Sequence, residues 1–255
     1  MAKVLIPIPT ADFDPTESAV PWLILSSAGH DVSFATPDGK QGTADPIMVT
    51  GKGLGLLAPV LMADTNGRSA YARMTQCLAF QSPMSYSEIL SNDFDALLLP
   101  GGHAPGMRSY LESALLQEQV LQFFANNKPV AAICHGVLLA ARSRGADGRS
   151  VLFGRKTTAL TKTLELSGWA LTRLWLGSYY RTYPQCLQDE IKAALAHPQD
   201  FVAGPMAMAR DTPSNLAPGF VVRDGNYLSA RWPGDAHSFA TEFLTMLGSS
   251  ARSIT

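Results

Sequence analysis

The 255-residue sequence has no excess of charge of either sign, since 20 basic and 21 acidic residues leave a net charge of −1. A balanced chain gives no electrostatic reason to expect a nucleic acid or an anionic membrane surface as a partner. The chain also lacks any apolar run near the roughly 18–20 residues that a membrane span needs. The N-terminal stretch MAKVLIPIPTADFDPTES, in which two prolines interrupt a short apolar run, is typical of a first β-strand and not of a signal peptide.

Cysteine pairs and metal-ligand patterns are also missing. The three cysteines, Cys77, Cys134 and Cys186, lie far apart with no C-x-x-C pair, so no disulfide framework is indicated. Histidines outside the motifs described below show no metal-ligand spacing. The glycine-rich stretch GKGLG does not match a nucleotide-binding loop. We therefore expect a cytoplasmic protein that uses neither a metal nor an organic cofactor.

What the sequence does contain is an alternation of strand and helix patterns. AKVLIPIP is a short apolar run with β-branched residues, typical of a buried strand. A helix is predicted next, with Asp14 as N-cap, Pro15 in the first helical position and Gly29 at its end. A second strand is predicted in DVSFATPDG. A strand–helix–strand unit implies a parallel sheet with a right-handed crossover.

The same alternation continues along the chain, with two departures. Further strand and helix signals lie in DFDALLLPGG, SYLESALLQEQVLQFFANNK, PVAAI, HGVLLAARSRG, RKTTAL, DEIKAALAHP, GFVVRDGNYLSAR and AHSFATEFLTMLG. Residues 40–90 have weak periodicity, which favours a lid or cap. Residues 166–200 are rich in Trp and Tyr, which favours a helical insertion packed on the domain or on a second subunit. Residues 1–255 are predicted to form one α/β domain, with a mostly parallel sheet sandwiched by helices.

Cys134 is the first candidate site residue. It falls where the strand PVAAI meets a helix that starts near Gly136, and a side chain at such a strand–turn–helix elbow projects above the sheet edge. The helix N-terminus and nearby amides favour a thiolate, so the sequence predicts a lowered thiol pKa. The alternative is a small buried cysteine at the end of a core strand.

The stretch LLLPGGHAPGM supplies the second candidate group. Gly101 and Gly102 directly follow a buried strand, where glycine lets the backbone approach a ligand closely. The amides of Gly102 and His135 would form an oxyanion hole over Cys134, with Gly101 and His103 at the substrate. The alternative is an ordinary strand-to-loop turn.

Glu17 is the third candidate. It lies three residues after Asp14, which is the capping-box position. The functional alternative is a protonated carboxyl that faces the cleft and donates a hydrogen bond to Cys134. Local sequence favours the cap.

Four motifs in order, DPTESAVPW, LLLPGGHAPGM, AAICHG and YLSARWPGDAHSFA, together resemble the ThiJ/PfpI superfamily. The resemblance implies a flavodoxin-like fold shared with class I glutamine amidotransferase domains, and it is strongest to the glyoxalase III and heat-shock chaperone branch. It implies a nucleophilic Cys134, a histidine partner at His135 and a first-helix glutamate at Glu17. It also implies that Glu165 orients His135, as an acidic residue does in some members. The alternative for Glu165 is a solvated glutamate at a helix start.

The same resemblance implies a cysteine-dependent enzyme for small reactive carbonyls. The expected activity is that of a glutathione-independent glyoxalase, which converts methylglyoxal to lactate, or of a deglycase. Two other classes stay open: a cysteine amidase that acylates the same thiol, and a stress-responsive holdase or redox sensor in which the thiol is oxidised. The expected partner is a small aldehyde or amide, with a possible homodimer.

Overall fold

The computed structural model describes residues 1–206 and 209–252. Nine strands lie in this part of the chain. They are β1 (Lys3–Pro7), β2 (Ala11–Phe13), β3 (Asp31–Thr36), β4 (Thr43–Ala44), β5 (Met84–Ser85), β6 (Ala96–Leu99), β7 (Val130–Ile133), β8 (Val221–Asp224) and β9 (Tyr227–Ala230).

Eleven α-helices lie in the same described residues. They are α1 (Pro15–Ser27), α2 (Pro46–Thr50), α3 (Ala58–Leu61), α4 (Thr65–Met74), α5 (Leu78–Gln81), α6 (Arg108–Leu111), α7 (Ala114–Ala125), α8 (Gly136–Arg142), α9 (Lys162–Leu176), α10 (Leu187–Ala194) and α11 (Ala236–Arg252). None of these described helices combines the length and apolar character that a membrane crossing requires.

Seven strands form one sheet in the order β5-β3-β1-β6-β7-β9-β8. All neighbouring pairs are parallel except β8 and β9, which form an antiparallel hairpin. The five central strands β3-β1-β6-β7-β9 follow the 2-1-3-4-5 order of flavodoxin-like sheets. The predicted fold class is therefore confirmed. The strand order reverses between β1 and β6, and in such sheets this is where ligands bind.

The sheet forms because its central strands are continuous apolar runs buried on both faces. Residues 4–6 of β1 and all of β6 and β7 are buried. Helices α1 and α11 pack against each other, as do α7 and α8, and these pairs flank the sheet. Asp14 caps α1 as predicted, because its carboxylate accepts hydrogen bonds from the amides of Thr16 and Glu17.

Two local predictions differ from the structure. The single helix predicted across SYLESALLQEQVLQFFANNK is broken into α6 and α7, because Ser113 adopts an extended backbone and accepts a hydrogen bond from the amide of Leu116 as a new N-cap. RKTTAL forms no named strand; Thr157 makes only an isolated bridge with Phe201.

The two departing segments both pack on the domain. The segment at residues 40–90 places β4 beside β2, α4 against α1 and β5 at the sheet edge. The aromatic-rich segment begins with α9, and its α10 packs on α8. Arg142 of α8 donates to Glu190 of α10 at 2.7 Å and to the Tyr183 hydroxyl at 2.8 Å. The outer side of α9 is open to solvent, where Leu174 is 87% exposed.

Candidate active site

The candidate residues meet at the carboxyl ends of β1, β6 and β7. Glu17 lies in the first turn of α1, Gly101 follows β6, and Cys134 follows β7. Parallel strands bring their carboxyl ends to the same edge of a sheet. The site therefore arises from the strand order itself.

Cys134 occupies the predicted strained turn. Its φ of 55° lies in the left-handed region, which a residue with a side chain rarely adopts. It stands between the last residue of β7 and the start of α8 and is completely buried. Gly136 makes this turn possible, because a Cβ there would lie 2.1 Å from the Leu99 carbonyl oxygen of β6. The placement prediction for Cys134 is confirmed.

Glu17 does not form the capping box favoured by the local sequence. Its Oε2 accepts a hydrogen bond from the amide of Gly101 at 2.9 Å, a contact that spans 84 residues of chain. Its Oε1 is buried and has no hydrogen-bond partner among the described residues. The carboxyl lies close enough to the Cys134 thiol for each group to shift the pKa of the other. The cap interpretation of Glu17 is therefore wrong.

The two glycines after β6 have different roles. The Gly101 amide is occupied by Glu17, and a Cβ on Gly101 would lie 2.6 Å from the His135 nitrogen. Gly101 thus permits close packing, and its amide does not face a substrate. The Gly102 amide has no acceptor among the described residues. The His135 amide hydrogen-bonds to the Cys134 sulfur.

His135 is oriented by a hydroxyl group. Its Nδ1 lies 3.5 Å from the Cys134 sulfur, and its Nε2 lies 3.3 Å from the Thr182 Oγ1. The Thr182 hydroxyl donates its own proton to the His103 carbonyl oxygen at 2.6 Å. The Thr182 oxygen must then accept a hydrogen bond from the Nε2 of His135, so the imidazole proton is assigned to Nε2. The Nδ1 of His135 is left free to accept a hydrogen bond from the thiol.

Thr182 has no pattern in the sequence that could have identified it. It lies 47 residues beyond His135, inside the aromatic-rich segment. Arg108 fixes this part of the chain by donating two hydrogen bonds to the Thr182 carbonyl oxygen, at 3.0 and 2.7 Å.

Glu165 lies away from His135. Its Oε1 lies 3.2 Å from the Arg181 guanidinium, and its Oε2 accepts from the Leu187 amide at 2.9 Å. These contacts join α9 to α10 and use both carboxylate oxygens. The expectation that Glu165 orients the imidazole is corrected, because Thr182 occupies that role. The alternative of a solvated glutamate is also wrong, since the side chain is only 5% exposed.

His103 is a second imidazole beside the sulfur. Its Nε2 lies 3.5 Å from the Cys134 sulfur, and its ring centroid lies 5.0 Å from that of His135. Burial lowers the pKa of His103 to about 4. Burial also lowers the pKa of His135, and the neighbouring His103 lowers it further. Both rings are therefore neutral near pH 7, and each is a weaker base than an exposed histidine.

Burial raises the pKa values of the thiol and of the carboxyl beside it. The pKa of Cys134 lies well above its usual value, mainly through burial, and a charged Glu17 would raise it further. The pKa of Glu17 is likewise raised by burial and then by the nearby Asp14. The predicted lowering of the thiol pKa is wrong, because complete burial outweighs the hydrogen bond from the His135 amide. Burial therefore favours the uncharged form of the thiol, of both imidazoles and of the carboxyl.

Three of these side chains form the group best suited to a metal ion. The ligand atoms of His103, Cys134 and His135 all lie within 4.8 Å of one another. A sulfur and two imidazole nitrogens are ligands that zinc accepts in proteins. The chemistry proposed below uses the same atoms for proton transfer and requires no ion.

A cavity of about 340 Å³ lies next to the site. Gly102 and His103 form part of its wall, and His103 separates it from the buried Cys134 sulfur, which lies 3.5 Å from the His103 Nε2. A buried cysteine, two neutral imidazoles and a ligand cavity near the switch point of the sheet form the candidate active site of a protein of the α/β class.

The comparison with known families agrees with this class. The model of the ThiJ/PfpI family-like proteins matches residues 8–205. The chain therefore belongs to the ThiJ/PfpI-like family.

Proteins with similar sequences include deglycases and a glyoxalase. A deglycase of Pyrococcus abyssi is 30% identical over 64% of this chain and 69% of its own length. Deglycase PfpI of Pyrococcus furiosus is 27% identical over 92% of this chain and 94% of its own. The glutathione-independent glyoxalase hsp3101 of Schizosaccharomyces pombe is 26% identical over 59% of each chain.

Among solved structures, glyoxalase III from Candida albicans has the same fold. It superimposes with a TM-score of 0.68 at 17% identity, covering 96% of this chain and 97% of its own.

Proposed function

We propose that this protein is a glyoxalase-type enzyme that converts 2-oxoaldehydes such as methylglyoxal to 2-hydroxy acids without glutathione, with Cys134 as nucleophile. The observation that carries the proposal is the arrangement around the sulfur. Cys134 lies in a strained elbow, 3.5 Å from each of two imidazole nitrogens and beside a carboxyl whose pKa is raised by burial. The glyoxalase and deglycase relatives support it.

The first step is thiol addition. The sulfur bonds to the aldehyde carbon as Nδ1 of His135 takes the thiol proton, and this proton then passes to the aldehyde oxygen to give a hemithioacetal. The Gly102 amide, which has no acceptor among the described residues, stabilises the negative charge that develops on that oxygen. Burial makes the thiol a weaker acid and the imidazole a weaker base, so the proton has to leave the thiol as the carbon–sulfur bond forms and not before it.

The second step moves hydrogen between the two carbons. His135 removes the proton from the former aldehyde carbon, and Glu17 donates its proton to the former ketone carbon. The hydroxyl proton of the hemithioacetal passes to the former ketone oxygen, so that the former aldehyde carbon becomes the carbonyl carbon of a thioester. Transfer of the proton from His135 to Glu17 then restores both groups. A carboxyl with a raised pKa suits this role, because it keeps its proton to a higher pH than an exposed glutamate does.

The third step is hydrolysis of the thioester. Water adds to the carbonyl carbon, the carbon–sulfur bond breaks, and the thiol regains its proton. The net reaction adds one water to the 2-oxoaldehyde, with one carbon oxidised and its neighbour reduced.

The test is a panel of 2-oxoaldehydes, glycated amines and small amides, assayed with the wild type and Cys134→Ala. We expect lactate from methylglyoxal in the absence of glutathione, and a loss of at least about 10³-fold in Cys134→Ala. Cys77→Ala is the matched control and should retain full activity, since Cys77 is a partly exposed cysteine on the short turn before α5. Amide hydrolysis with no consumption of any 2-oxoaldehyde would establish the amidase alternative instead.

The exposed apolar side chains of α9 favour holdase activity as a second candidate. Leu171, Leu174 and Trp175 are 47%, 87% and 48% exposed. A holdase would suppress the aggregation of a heat-denatured client equally in the wild type and in Cys134→Ala. The redox-sensor alternative loses support, because a buried thiol with a raised pKa is a poor target for oxidation.

A further inference from the structure

The cavity beside the thiol is bounded by the two segments that depart from the regular strand–helix alternation. Met48, Val60 and Leu61 come from residues 40–90, while Leu164 and Leu171 come from α9. These side chains give the cavity a mainly apolar wall. Gly102 and His103 belong both to this wall and to the candidate site, since the His103 Nε2 lies 3.5 Å from the Cys134 sulfur.

The cavity is larger than a three-carbon substrate needs. An apolar cavity of about 150 Å³ is enough to bind benzene. The cavity here measures about 340 Å³, which leaves room for a chain of about six carbons beyond the two reacting carbonyl carbons.

The carboxylates on the cavity wall already have partners within the protein. Asp12 accepts from the Gly106 amide at 2.8 Å, and Asp45 accepts from the Tyr179 and Tyr180 hydroxyls at 3.3 and 3.2 Å. Asp14 accepts hydrogen bonds from the amides of Thr16 and Glu17 in the first turn of α1. These carboxylates therefore need nothing from a ligand, and the surface left for it is mainly apolar.

Arg210 is a charged residue of the cavity wall, and in the described part of the chain one nitrogen of its guanidinium group is free to donate a hydrogen bond. Its Nη2 donates to the Met62 carbonyl oxygen at 3.1 Å, and its guanidinium lies 5.3 Å from the centre of the Trp232 ring. Its Nη1 is buried without a partner among the described residues. One oxygen of a ligand can satisfy it.

We propose that the preferred substrates are 2-oxoaldehydes that carry an apolar chain of about six carbons, with the chain lying between residues 40–90 and α9. The inference rests on the proposed function, whose reaction is unchanged because the chain takes no part in it. Each methylene transferred from water to an apolar wall increases binding about two- to fourfold.

The first test is a series of substrates from methylglyoxal to 2-oxooctanal. We expect kcat/KM of the wild type to rise about two- to fourfold for each added methylene until the cavity is filled. A flat or falling series, with methylglyoxal consumed normally, would overturn the inference and leave the proposed function intact.

A pair of variants on α9 tests where the apolar chain of the substrate lies. Leu171 lines the cavity, whereas Leu174 lies on the same helix, is 87% exposed and does not line it. Leu171→Trp should lower the ratio of kcat/KM for 2-oxooctanal to that for methylglyoxal at least tenfold. Leu174→Trp should leave this ratio unchanged. Equal effects of the two variants would contradict the placement of the chain.

A binding measurement tests the site for the apolar chain independently of the proposed reaction. Cys134→Ser should bind octan-2-one more tightly than butan-2-one in calorimetry, by the same two- to fourfold per methylene, and the added Leu171→Trp change should remove the difference. If no 2-oxoaldehyde is turned over but this difference is seen, the apolar chain site stands and the proposed function fails. If neither ketone binds, the chain site is refuted.

Discussion

Two buried carboxyls, Glu17 and Glu165, show how similar local settings lead to different roles. Each lies in the first turn of a helix, is nearly inaccessible to solvent and has a pKa raised chiefly by burial. Glu165 has Arg181 and the Leu187 amide, so both of its oxygens are satisfied. Glu17 accepts a hydrogen bond from the Gly101 amide and lies beside the Cys134 thiol. An incompletely satisfied buried acid is costly to stability and is therefore a better candidate for chemistry than a satisfied one.

The largest effect is expected from Glu17→Gln. The amide can still accept from Gly101, so the fold should persist, but it cannot transfer a proton between carbons. We expect kcat for a 2-oxoaldehyde to fall by about 10²–10⁴ with little change in melting temperature. Full activity in this variant would reduce Glu17 to a packing residue, and the mechanism would have to use the two histidines alone.

Glu165→Gln is the matched control and should show the opposite outcome. The amide keeps the contact with Leu187 but loses the charge that pairs with Arg181, which is 16% exposed. We expect a loss of about 2 kcal/mol in the free energy of unfolding, measured by urea denaturation, and kcat within about twofold of the wild type. A loss of turnover as large as that of Glu17→Gln would remove the contrast between the two acids.

Asp14 gives the site a specific pH dependence of stability. Burial raises its pKa to about 6 from 3.8, so the folded state holds a proton that the unfolded state has lost between these values. Stability from this group is complete below pH 3.8 and is lost as the pH rises to about 6, by about 3 kcal/mol in total.

Asp14→Asn should remove this part of the pH dependence, because Asn also caps a helix but does not titrate. The measurement is urea unfolding of both proteins between pH 4 and 7. Identical slopes for the two proteins in that range would show that Asp14 keeps an ordinary pKa.

The smallest effect is expected from Thr182→Val. Valine preserves the volume but removes the acceptor for the Nε2 proton of His135 and the donor to His103. We expect about a tenfold loss in kcat with KM nearly unchanged, and rescue by Thr182→Ser. If serine fails to restore activity, packing by the threonine methyl group matters more than its hydroxyl.

The parts of the site that follow directly from strand ends could be predicted from the sequence. Cys134, Gly102 and His103 come immediately after buried strands, and parallel strands bring such residues together whatever the details of packing. The cap at Asp14 could be predicted for a similar reason, since all of its partners lie within three residues.

The rest depends on contacts between distant parts of the chain. Glu17 bonds to Gly101 rather than to its own helix start, and Thr182 replaces Glu165 beside His135. A local pattern cannot show which long-range partner wins. The direction of the thiol pKa was also wrong, because a strand–helix junction reveals the helix amide but not the depth of burial.

The most direct test of the account is mass spectrometry of Glu17→Gln after brief exposure to methylglyoxal. If the thiol adds first and Glu17 acts in the next step, this variant should accumulate a single adduct, with the mass of one methylglyoxal, on the peptide that contains Cys134. The wild type should release lactate and show little adduct. An adduct distributed equally over Cys77, Cys134 and Cys186, or absent from Cys134 while lactate still forms, would contradict the assignment of Cys134 as nucleophile.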